Sequence, residues 1–365
     1  MASGDVEARR RNEQLVDQLE HTGALRDPAV ASAFRAVERH HFLPGRPLDE
    51  VYEDSAIMTK VGEQGLPLSS SSQPTIMAIM LELLRPETGS RVLEIGAGTG
   101  YNAALIAHLV GREGRVVTVD IDPELVEQAR AHLAAAGIEG VEVTLADGAG
   151  GWPPAAPYDR LIVTAGADDL APAWAEQLAD GGRLVLPLTL AGPGQLCAAF
   201  VRRERWLTAS ELCQCGFLPL RGEMAPGQAP ADEELARWLG AGGRPSGHTV
   251  PTADLRAGFE MWLALTARGY VRVRPAAEEP TTFGLRDELG LGLVLAEEGA
   301  NRVVAFGEGE AAARLLVEAH AAWAWERPSL DRLRVVALPS AEAPPPQPGV
   351  RIVRRPRFTF VVSSA

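Results

Sequence analysis

Residues 92–101 read Val-Leu-Glu-Ile-Gly-Ala-Gly-Thr-Gly-Tyr, and this stretch decides the fold. The apolar run that ends in it predicts a strand over residues 91–95, and the run behind it predicts a helix over residues 101–110. Three glycines at alternate positions lie between the two predicted elements. Such glycines allow a tight turn and a close approach of the backbone to a ligand, so the stretch predicts a nucleotide-binding unit.

The chain behind this unit alternates between strand and helix patterns. Strands are predicted over residues 115–120, 141–145, 159–164 and 183–188, and helices over residues 123–136 and 170–178. Alternation of this kind predicts a parallel sheet with helices on both of its faces. Residues 196–202 and 206–212 then predict an antiparallel hairpin. The predicted fold class is therefore α/β, with a doubly wound and mostly parallel sheet.

The flanking regions have different patterns. Residues 1–50 are typical of polar helices with an apolar stripe, residues 51–74 are predicted to be irregular because they are rich in Ser and Gly, and residues 75–84 predict a helix. A linker is predicted near residues 221–230. Behind it we predict a small α+β unit, with helices over 233–239, 254–268 and 308–324 and strands over 291–296, 302–306, 333–338 and 350–362. A chain of 365 residues favours two domains, here 1–222 and 223–365.

The composition argues against several classes of function. A net charge of −13 disfavours nucleic-acid binding, because phosphate contacts need a basic surface. We expect neither a membrane span nor a secretory signal, since no apolar run of the required length occurs. Three cysteines exclude a disulfide framework and favour a reducing cytoplasm. The seven histidines are scattered, and the adjacent His40 and His41 are expected to point in different directions, so no metal site is predicted.

Three features distinguish the glycine stretch from a nicotinamide dinucleotide site. Glu94 stands two residues before the first glycine, the glycines follow a GxGxG instead of a GxGxxG pattern, and Asp147-Gly148 follows the third predicted strand. Asp120 ends the next strand, where a carboxylate can accept hydrogen bonds from both hydroxyls of a ribose. Together these features resemble the class I S-adenosylmethionine (SAM) methyltransferases.

Further segments resemble the protein-L-isoaspartate O-methyltransferase family, from about residue 10 to residue 222. The least generic are Val51-Tyr52-Glu53-Asp54 and Ser72-Gln73-Pro74, which an arbitrary SAM-dependent enzyme lacks. Residues 31–44 (ASAFRAVERHHFLP) and 216–220 (GFLPL) also match in order. The resemblance implies a sheet of class I methyltransferase type that holds SAM, preceded by a helical segment that covers the site. It also implies methyl transfer to a side-chain or isoaspartyl carboxylate of a peptide or protein.

The resemblance implies roles for individual residues. Ser72 is expected to be the catalytic residue that contacts the reacting carboxylate, with an N-cap of the following helix as the alternative. The residues expected to bind SAM are Ser71, Ser72, Gln73, Glu94, Gly96, Gly98, Thr99, Tyr101, Asp120, Ile121, Asp147 and Gly148. The residues expected to contact the substrate are Asp54, Lys60 and Ser70. The alternatives are a turn for Asp147, core packing for Tyr101, and ordinary surface positions for Asp54 and Lys60.

The sequence departs from the family in two ways. A run of serines over residues 69–72 replaces the threonine-isoleucine that usually precedes the serine, and residues 221–365 extend the chain. Chains with both features resemble a subgroup associated with ribosomally made lanthipeptides, lasso peptides and graspetides. There the implied substrate is an Asp of a cyclised precursor, whose methyl ester loses methanol to form a succinimide (aspartimide) that can open to isoaspartate. We expect this tailoring activity, with residues 223–365 as the peptide-substrate domain; the alternative is repair of isoaspartyl proteins.

Three other functions remain open on the sequence. A SAM-binding protein without catalysis is disfavoured by the intact Ser72 and glycine stretch. A nicotinamide oxidoreductase on a similar sheet would bind NADH and not SAM. A methyltransferase for small acids is disfavoured by the segments around Asp54 and Ser72, which point to a peptide substrate.

Overall fold

The computed structural model describes residues 3–63, 65–192, 194–226, 233–240, 242–273, 281–297, 300–345 and 350–364. Contacts between residues divide the chain into two compact units. The first comprises residues 1–188 and 195–226, and the second comprises residues 189–194 and 227–365. The division along the chain thus falls four residues after the predicted position at 222, and a short insertion at 189–194 belongs to the second unit.

The first unit begins with helices and a hairpin. These are α1 (Ser3–His21), α2 (Pro28–Ala36), α3 (Leu48–Val51), β1 (Ile57–Val61), β2 (Pro67–Ser71) and α4 (Pro74–Leu84). Strands β1 and β2 pair antiparallel. The expectation that residues 51–74 are irregular was therefore wrong for twelve of them, since ten lie in β1 and β2 and the end residues Val51 and Pro74 lie in α3 and α4. Serine is a common turn former, but here the alternate Ser69 and Ser71 are buried in a strand, where hydrogen bonds satisfy their hydroxyls.

The remaining elements of this unit alternate along the chain. They are β3 (Arg91–Ile95), α5 (Tyr101–Val110), β4 (Arg115–Asp120), α6 (Pro123–Ala135), β5 (Val141–Leu145), β6 (Tyr158–Val163), α7 (Pro172–Gln177), β7 (Leu178–Leu188), β8 (Gln195–Arg203) and β9 (Trp206–Cys215). The helix predicted over 170–178 is shorter, and the strand predicted over 183–188 begins at Leu178. The side chain of Asp122 caps α6 by accepting a hydrogen bond from Glu124 N at 3.1 Å, and Pro123 occupies the first turn.

The strands of this unit pair in the order β9-β8-β7-β6-β3-β4-β5. The five strands from β7 to β5 in this order run parallel, whereas β8 and β9 are antiparallel to their neighbours. The predicted α/β class with a mostly parallel sheet and the predicted hairpin are confirmed. Strand β3 pairs with β4 on one side and β6 on the other, so the direction of winding reverses there. Ligands of such sheets bind at the carboxyl ends of the strands beside this reversal, which places the glycine stretch at the expected site.

The second unit contains the elements α8 (Glu233–Gly240), β10 (Gly243–Val250), α9 (Thr252–Arg256), α10 (Phe259–Thr266), β11 (Tyr270–Val273), β12 (Thr282–Arg286), β13 (Gly290–Glu297), β14 (Ala300–Gly307), α11 (Glu310–Glu326), β15 (Leu333–Pro339), β16 (Val350–Arg354) and β17 (Phe358–Ser364). Five of its strands form an antiparallel sheet in the order β10-β14-β13-β12-β11. Strand β17 pairs antiparallel with both β15 and β16. The core of the sheet and its helices is apolar, with Phe259, Leu316 and Trp323 buried in it.

Several predictions for this unit were wrong in detail. The helix predicted over 254–268 is two helices, since Gly258 adopts a positive φ of 99° between them. The strand predicted over 350–362 is the two strands β16 and β17, and strands β10, β11 and β12 were not predicted. Among the described residues, no helix is long and apolar enough to cross a bilayer.

Candidate functional site

An open cleft of about 1030 Å³ lies at the carboxyl ends of β3 and β4 in the first unit. Three parts of the chain line it: the serine run with the start of α4, the glycine turn with neighbouring strand ends, and the segment after β9. The lining residues are 68–72, 77, 80, 95–99, 101, 102, 119–121, 125, 148, 162, 164, 165 and 217–221.

The glycine turn brings backbone directly to the cleft wall. Gly96 has a φ of +104°, and a Cβ there would lie 2.4 Å from Thr164 Oγ1, so only glycine fits. Gly98 has a φ of +50°, and its amide donates to Asp120 Oδ2 at 3.1 Å. Thr99, also predicted, lines the cleft behind them. The turn therefore presents backbone where the sequence predicts the cofactor.

Glu94 lies beneath the turn and does not line the cleft. Its carboxylate is fully buried and accepts hydrogen bonds from Asn102 Nδ2 at 2.7 Å and from Thr118 Oγ1 at 2.6 Å. Burial raises the pKa of Glu94 to about 7, although these two hydrogen bonds oppose the shift. Glu94 thus connects β3, β4 and α5, and Asn102, which the sequence reasoning missed, is the neighbour that reaches the cleft.

Asp120 ends β4 at the cleft and is nearly buried. It also accepts from Asp122 N at 3.1 Å, so both of its oxygens have backbone donors. Arg221, which the sequence reasoning missed, lies 3.6 Å from Asp120 and 3.3 Å from Asp122 and lines the cleft. Ile121 lines the cleft as predicted. A carboxylate held in this way by fixed donors is a suitable acceptor for ribose hydroxyls.

Gly148 lines the cleft, but the side chain of Asp147 does not. Asp147 Oδ1 accepts from Ala149 N and Oδ2 accepts from Glu223 N, each at 2.9 Å. A Cβ on Gly222 would lie 2.3 Å from Asp147 Oδ2. Asp147 therefore caps the turn after β5 and fixes the segment over residues 216–224, which we call the cover segment. The sequence predicted a direct adenine contact for Asp147; the structure places it behind the cleft wall.

The serine run lies opposite the glycine turn. All of residues 69–72 line the cleft, and a Cβ on Gly98 would lie 3.9 Å from both Ser69 Oγ and Ser70 O. Ser72, the predicted catalytic residue, is half-buried, and Pro74 begins α4 two residues later. The N-cap position of α4 is Gln73, and its side chain makes no capping hydrogen bond.

Asp54 provides that cap instead. Its Oδ1 accepts from Thr75 N at 2.8 Å, and its Oδ2 accepts from Thr75 Oγ1 at 2.7 Å and from Gln73 Nε2 at 3.2 Å. The alternative of Ser72 as the N-cap is therefore not what the structure shows. Asp54 and Gln73 lie outside the cleft lining and hold the chain on either side of Ser72.

Two other predicted residues are engaged elsewhere. Lys60, on β1, donates to Asp122 Oδ1 at 2.9 Å and to Glu124 Oε2 at 2.7 Å, so it does not reach the cleft as a free cation. Tyr101 lines the cleft but is 2% exposed, and its ring packs edge-on against Phe34. Core packing therefore accounts for most of the surface of Tyr101.

His40 and His41 do not point in different directions, contrary to the prediction. The rings of His40 and His41 lie 4.1 Å apart, because a 3₁₀ turn over residues 39–42 turns them toward each other. Together with Glu38 they bring three ligand atoms within 4.8 Å, the one group of this kind among the described residues. The three residues lie outside the cleft lining.

Comparisons with known proteins agree with this geometry. The family model described as protein-L-isoaspartate(D-aspartate) O-methyltransferase matches residues 10–225. A protein-L-isoaspartate O-methyltransferase of Methanopyrus kandleri is 41% identical over 61% of this chain and 96% of its own, and one of Rhodopseudomonas palustris is 41% identical over 58% and 84%.

A solved structure of a protein-L-isoaspartate O-methyltransferase superposes on nearly the whole chain. It covers 97% of this chain and 100% of its own, with a TM-score of 0.58 and 26% identity. The sheet and the glycine turn are those expected of a SAM-dependent methyltransferase, and the family model matches residues 10–225. The chain therefore belongs to the protein-L-isoaspartate(D-aspartate) O-methyltransferase family of SAM-dependent carboxyl methyltransferases.

Proposed function

We propose that this protein methylates the carboxylate of isoaspartyl residues in peptides and damaged proteins and so acts in their repair; the names of its relatives give the same methyl transfer. The observation that carries the proposal is one cleft that has the glycine turn on one wall and the serine run on the other. A relative that is 41% identical along 96% of its own length supports the same activity. The three free cysteines favour a reducing cytoplasm as the compartment.

The cleft has the features that SAM requires. Gly98 leaves open space toward the serine run, and Asp120 offers a buried carboxylate at the strand end. We propose that SAM is held by the lining residues Ser71, Ser72, Gly96, Gly98, Thr99, Tyr101, Asp120, Ile121 and Gly148. Gln73, Glu94 and Asp147 would support these from behind. When bound, SAM supplies an activated methyl group.

The protein's own residues have a limited chemical task. A substrate carboxylate is ionised at neutral pH, so no general base is required. Its oxygen must be held in line and away from water. We propose that Ser72 donates a hydrogen bond to the reacting carboxylate, at the positive N-terminal end of α4, with Ser70 as a neighbouring substrate contact. Asp54 and Lys60 then act indirectly, Asp54 by capping α4 and Lys60 by bridging β1 to the start of α6.

The test is a methylation assay with SAM on two matched peptides, one with isoaspartate and one with aspartate. We expect methyl ester formation on the isoaspartyl peptide. The Ser72→Ala variant should lower kcat/KM by about a hundredfold, comparable to removing one donor from a reacting anion. The exposed Ser32, outside the cleft lining, provides the control variant Ser32→Ala, which should match the parent. Methylation of neither peptide by the parent would contradict the proposal.

A second candidate is tailoring of a ribosomally made, cyclised peptide at an ordinary Asp. The observation that favours it is the serine run, which departs from the family's usual residues and lines the cleft at all four positions. The extension does not favour it, because the solved isoaspartate methyltransferase structure covers 97% of this chain. A substrate-binding role for residues 223–365 is therefore compatible with both repair and tailoring.

The two candidates differ in their products. A matured cyclic peptide encoded beside this gene should gain the mass of one methylene group and then become one water lighter than the starting peptide, as the ester closes to a succinimide. If the cyclic peptide changes in this way and the isoaspartyl peptide is not methylated, the proposed repair function is wrong and the tailoring function is supported.

A further inference from the structure

Arg39 is a fully buried cation close to the serine run. It begins the 3₁₀ turn over residues 39–42 and is 0% exposed. All six of its hydrogen bonds end on uncharged oxygens of the chain. Within the described part of the chain Arg39 makes no ion pair, and because an unpaired buried guanidinium is costly, its hydrogen bonds must carry its structural role.

Those six bonds join two segments that are distant in the sequence. Nη1 donates to Val51 O at 2.9 Å and to Glu53 O at 3.3 Å. Nη2 donates to Ser55 O at 3.3 Å, to Ser71 O at 3.4 Å and Ser71 Oγ at 3.2 Å, and to Ser72 O at 2.9 Å. One planar fork therefore ties the 51–55 segment to the end of β2.

This fork holds the carbonyl groups around Arg39 together, and the Glu53 carbonyl also accepts from Ser55 N at 2.8 Å. Five backbone oxygens converge on one point, where their dipoles repel each other, and a buried carbonyl left without a donor costs about 1–3 kcal/mol. The guanidinium supplies several N–H groups in one plane, whereas a lysine ammonium carries three donors on a single atom. A lysine therefore cannot replace the arginine at this position, although it keeps the charge.

The segment on the other side of the fork also acts on the serines. Residues 51–55 include Asp54, whose carboxylate caps α4 through Thr75 and holds Gln73. Ser72 thus lies between two supports: Arg39 holds its carbonyl, and Asp54 holds the residues that follow it. Both Ser71 and Ser72 line the cleft, and the Ser71 hydroxyl is held by Arg39 Nη2.

We propose that Arg39 is a positioning residue of the methyl-transfer reaction, whose guanidinium fork holds the Ser71–Ser72 end of β2 in place against the glycine turn. This inference rests on the proposed function, because it assigns to Ser72 the contact with the substrate carboxylate. A displacement of about 1 Å in such a contact lowers a rate about a hundredfold. Arg39 itself lies outside the cleft lining.

The experiment compares Arg39→Lys and Arg39→Gln with the parent and with Arg160→Lys. Arg160 is the matched control, since its guanidinium also donates to a backbone carbonyl, that of Arg85, and it lies outside the cleft lining. Two quantities are measured: the KM for the isoaspartyl peptide, and hydrogen exchange of a proteolytic peptide covering residues 66–80. KM does not depend on the fraction of folded enzyme, so a partly unfolded variant still gives a meaningful value.

We expect both Arg39 variants to raise KM by about tenfold or more and to accelerate exchange over residues 69–73, while Arg160→Lys changes neither. The inference is overturned if the KM and the exchange rate of Arg39→Lys both stay within about twofold of the parent values. It is also overturned if exchange in this variant becomes faster while its KM is unchanged. If the parent methylates no peptide, the proposed function fails by itself. Hydrogen exchange then still decides whether Arg39 holds the serine strand.

Discussion

At the scale of single residues, the burial of Glu94 has a thermodynamic consequence. Its pKa rises from 4.5 to about 7 because the carboxyl group is removed from water. The folded protein therefore binds this proton more tightly than the unfolded chain does. A group of this kind adds stability below its unfolded pKa, and that stability is lost as the pH rises through about 7.

The variant Glu94→Gln should remove this pH dependence. An amide fits the same space and can still pair with Asn102 and with a rotated Thr118 hydroxyl. Between about pH 5 and about pH 8, we expect the free energy of unfolding of the parent to fall by about 2–3 kcal/mol more than that of the variant. Urea denaturation at the two pH values measures the difference. Equal pH dependence in both proteins would show that Glu94 is already ionised in the fold.

The residues that the sequence could predict are those whose role follows from position on a strand–turn–helix unit. Gly96, Gly98 and Asp120 lie at the cleft as expected, since strand ends fix them. Glu94 and Asp147 were also predicted to bind SAM, and both lie outside the cleft lining, because sequence order does not give the direction of a side chain. Arg39 was missed because its partners are 12–33 positions away, and no local pattern marks them.

At the scale of elements, the cover segment determines how one end of the cleft is closed. Its backbone at Glu223 is bonded to Asp147, and Arg221 is paired with Asp120 and Asp122. Gly222 has a φ of +74°, and a Cβ there would lie 2.7 Å from Ile121 Cδ1 as well as 2.3 Å from Asp147 Oδ2. Close packing at this point requires glycine.

The variant Gly222→Ala should therefore move the cover segment away from the cleft. The left-handed backbone alone costs about 1–2 kcal/mol for a residue with a Cβ, and the contact with Asp147 adds to that. We expect the Kd of S-adenosylhomocysteine, measured by calorimetry, to rise about tenfold, which corresponds to about 1.4 kcal/mol. Gly216→Ala is the matched control, since a Cβ at Gly216 has no neighbour within 4 Å. An unchanged Kd in Gly222→Ala would show that the cover segment takes no part in cofactor binding.

Elements with strong periodicity were predicted well, and elements that depend on tertiary contacts were not. The parallel strands are rich in Val, Leu and Ile and are separated by clear helix patterns, which leaves little ambiguity. Strand β2 consists mostly of serine, and its conformation depends on pairing with β1 and on hydrogen bonds to buried hydroxyls. A prediction from local composition therefore assigned it to a loop.

At the scale of the whole molecule, the two compact units have different relations to the chemistry. All residues that line the cleft belong to the first unit. The second unit has its own apolar core around Phe259 and Trp323. Its likeness to the far part of the solved isoaspartate methyltransferase structure indicates that the extension is a feature that this family can carry. The sequence predicted a second domain but could not assign its antiparallel sheet.

This division predicts where the effect of a bound cofactor product appears. A bound ligand slows hydrogen exchange in the backbone segments that it holds. At a ligand concentration a hundredfold above Kd, the apparent stability of the bound protein rises by about 2.7 kcal/mol. With S-adenosylhomocysteine present, we expect slower exchange over residues 68–73, 95–101 and 216–222, measured by mass spectrometry. Strands β10 and β14 of the second unit should exchange at unchanged rates, because no residue of theirs lines the cleft. Equal slowing in those strands would show that binding of the cofactor product also stabilises the second unit, so that the two units are thermodynamically coupled.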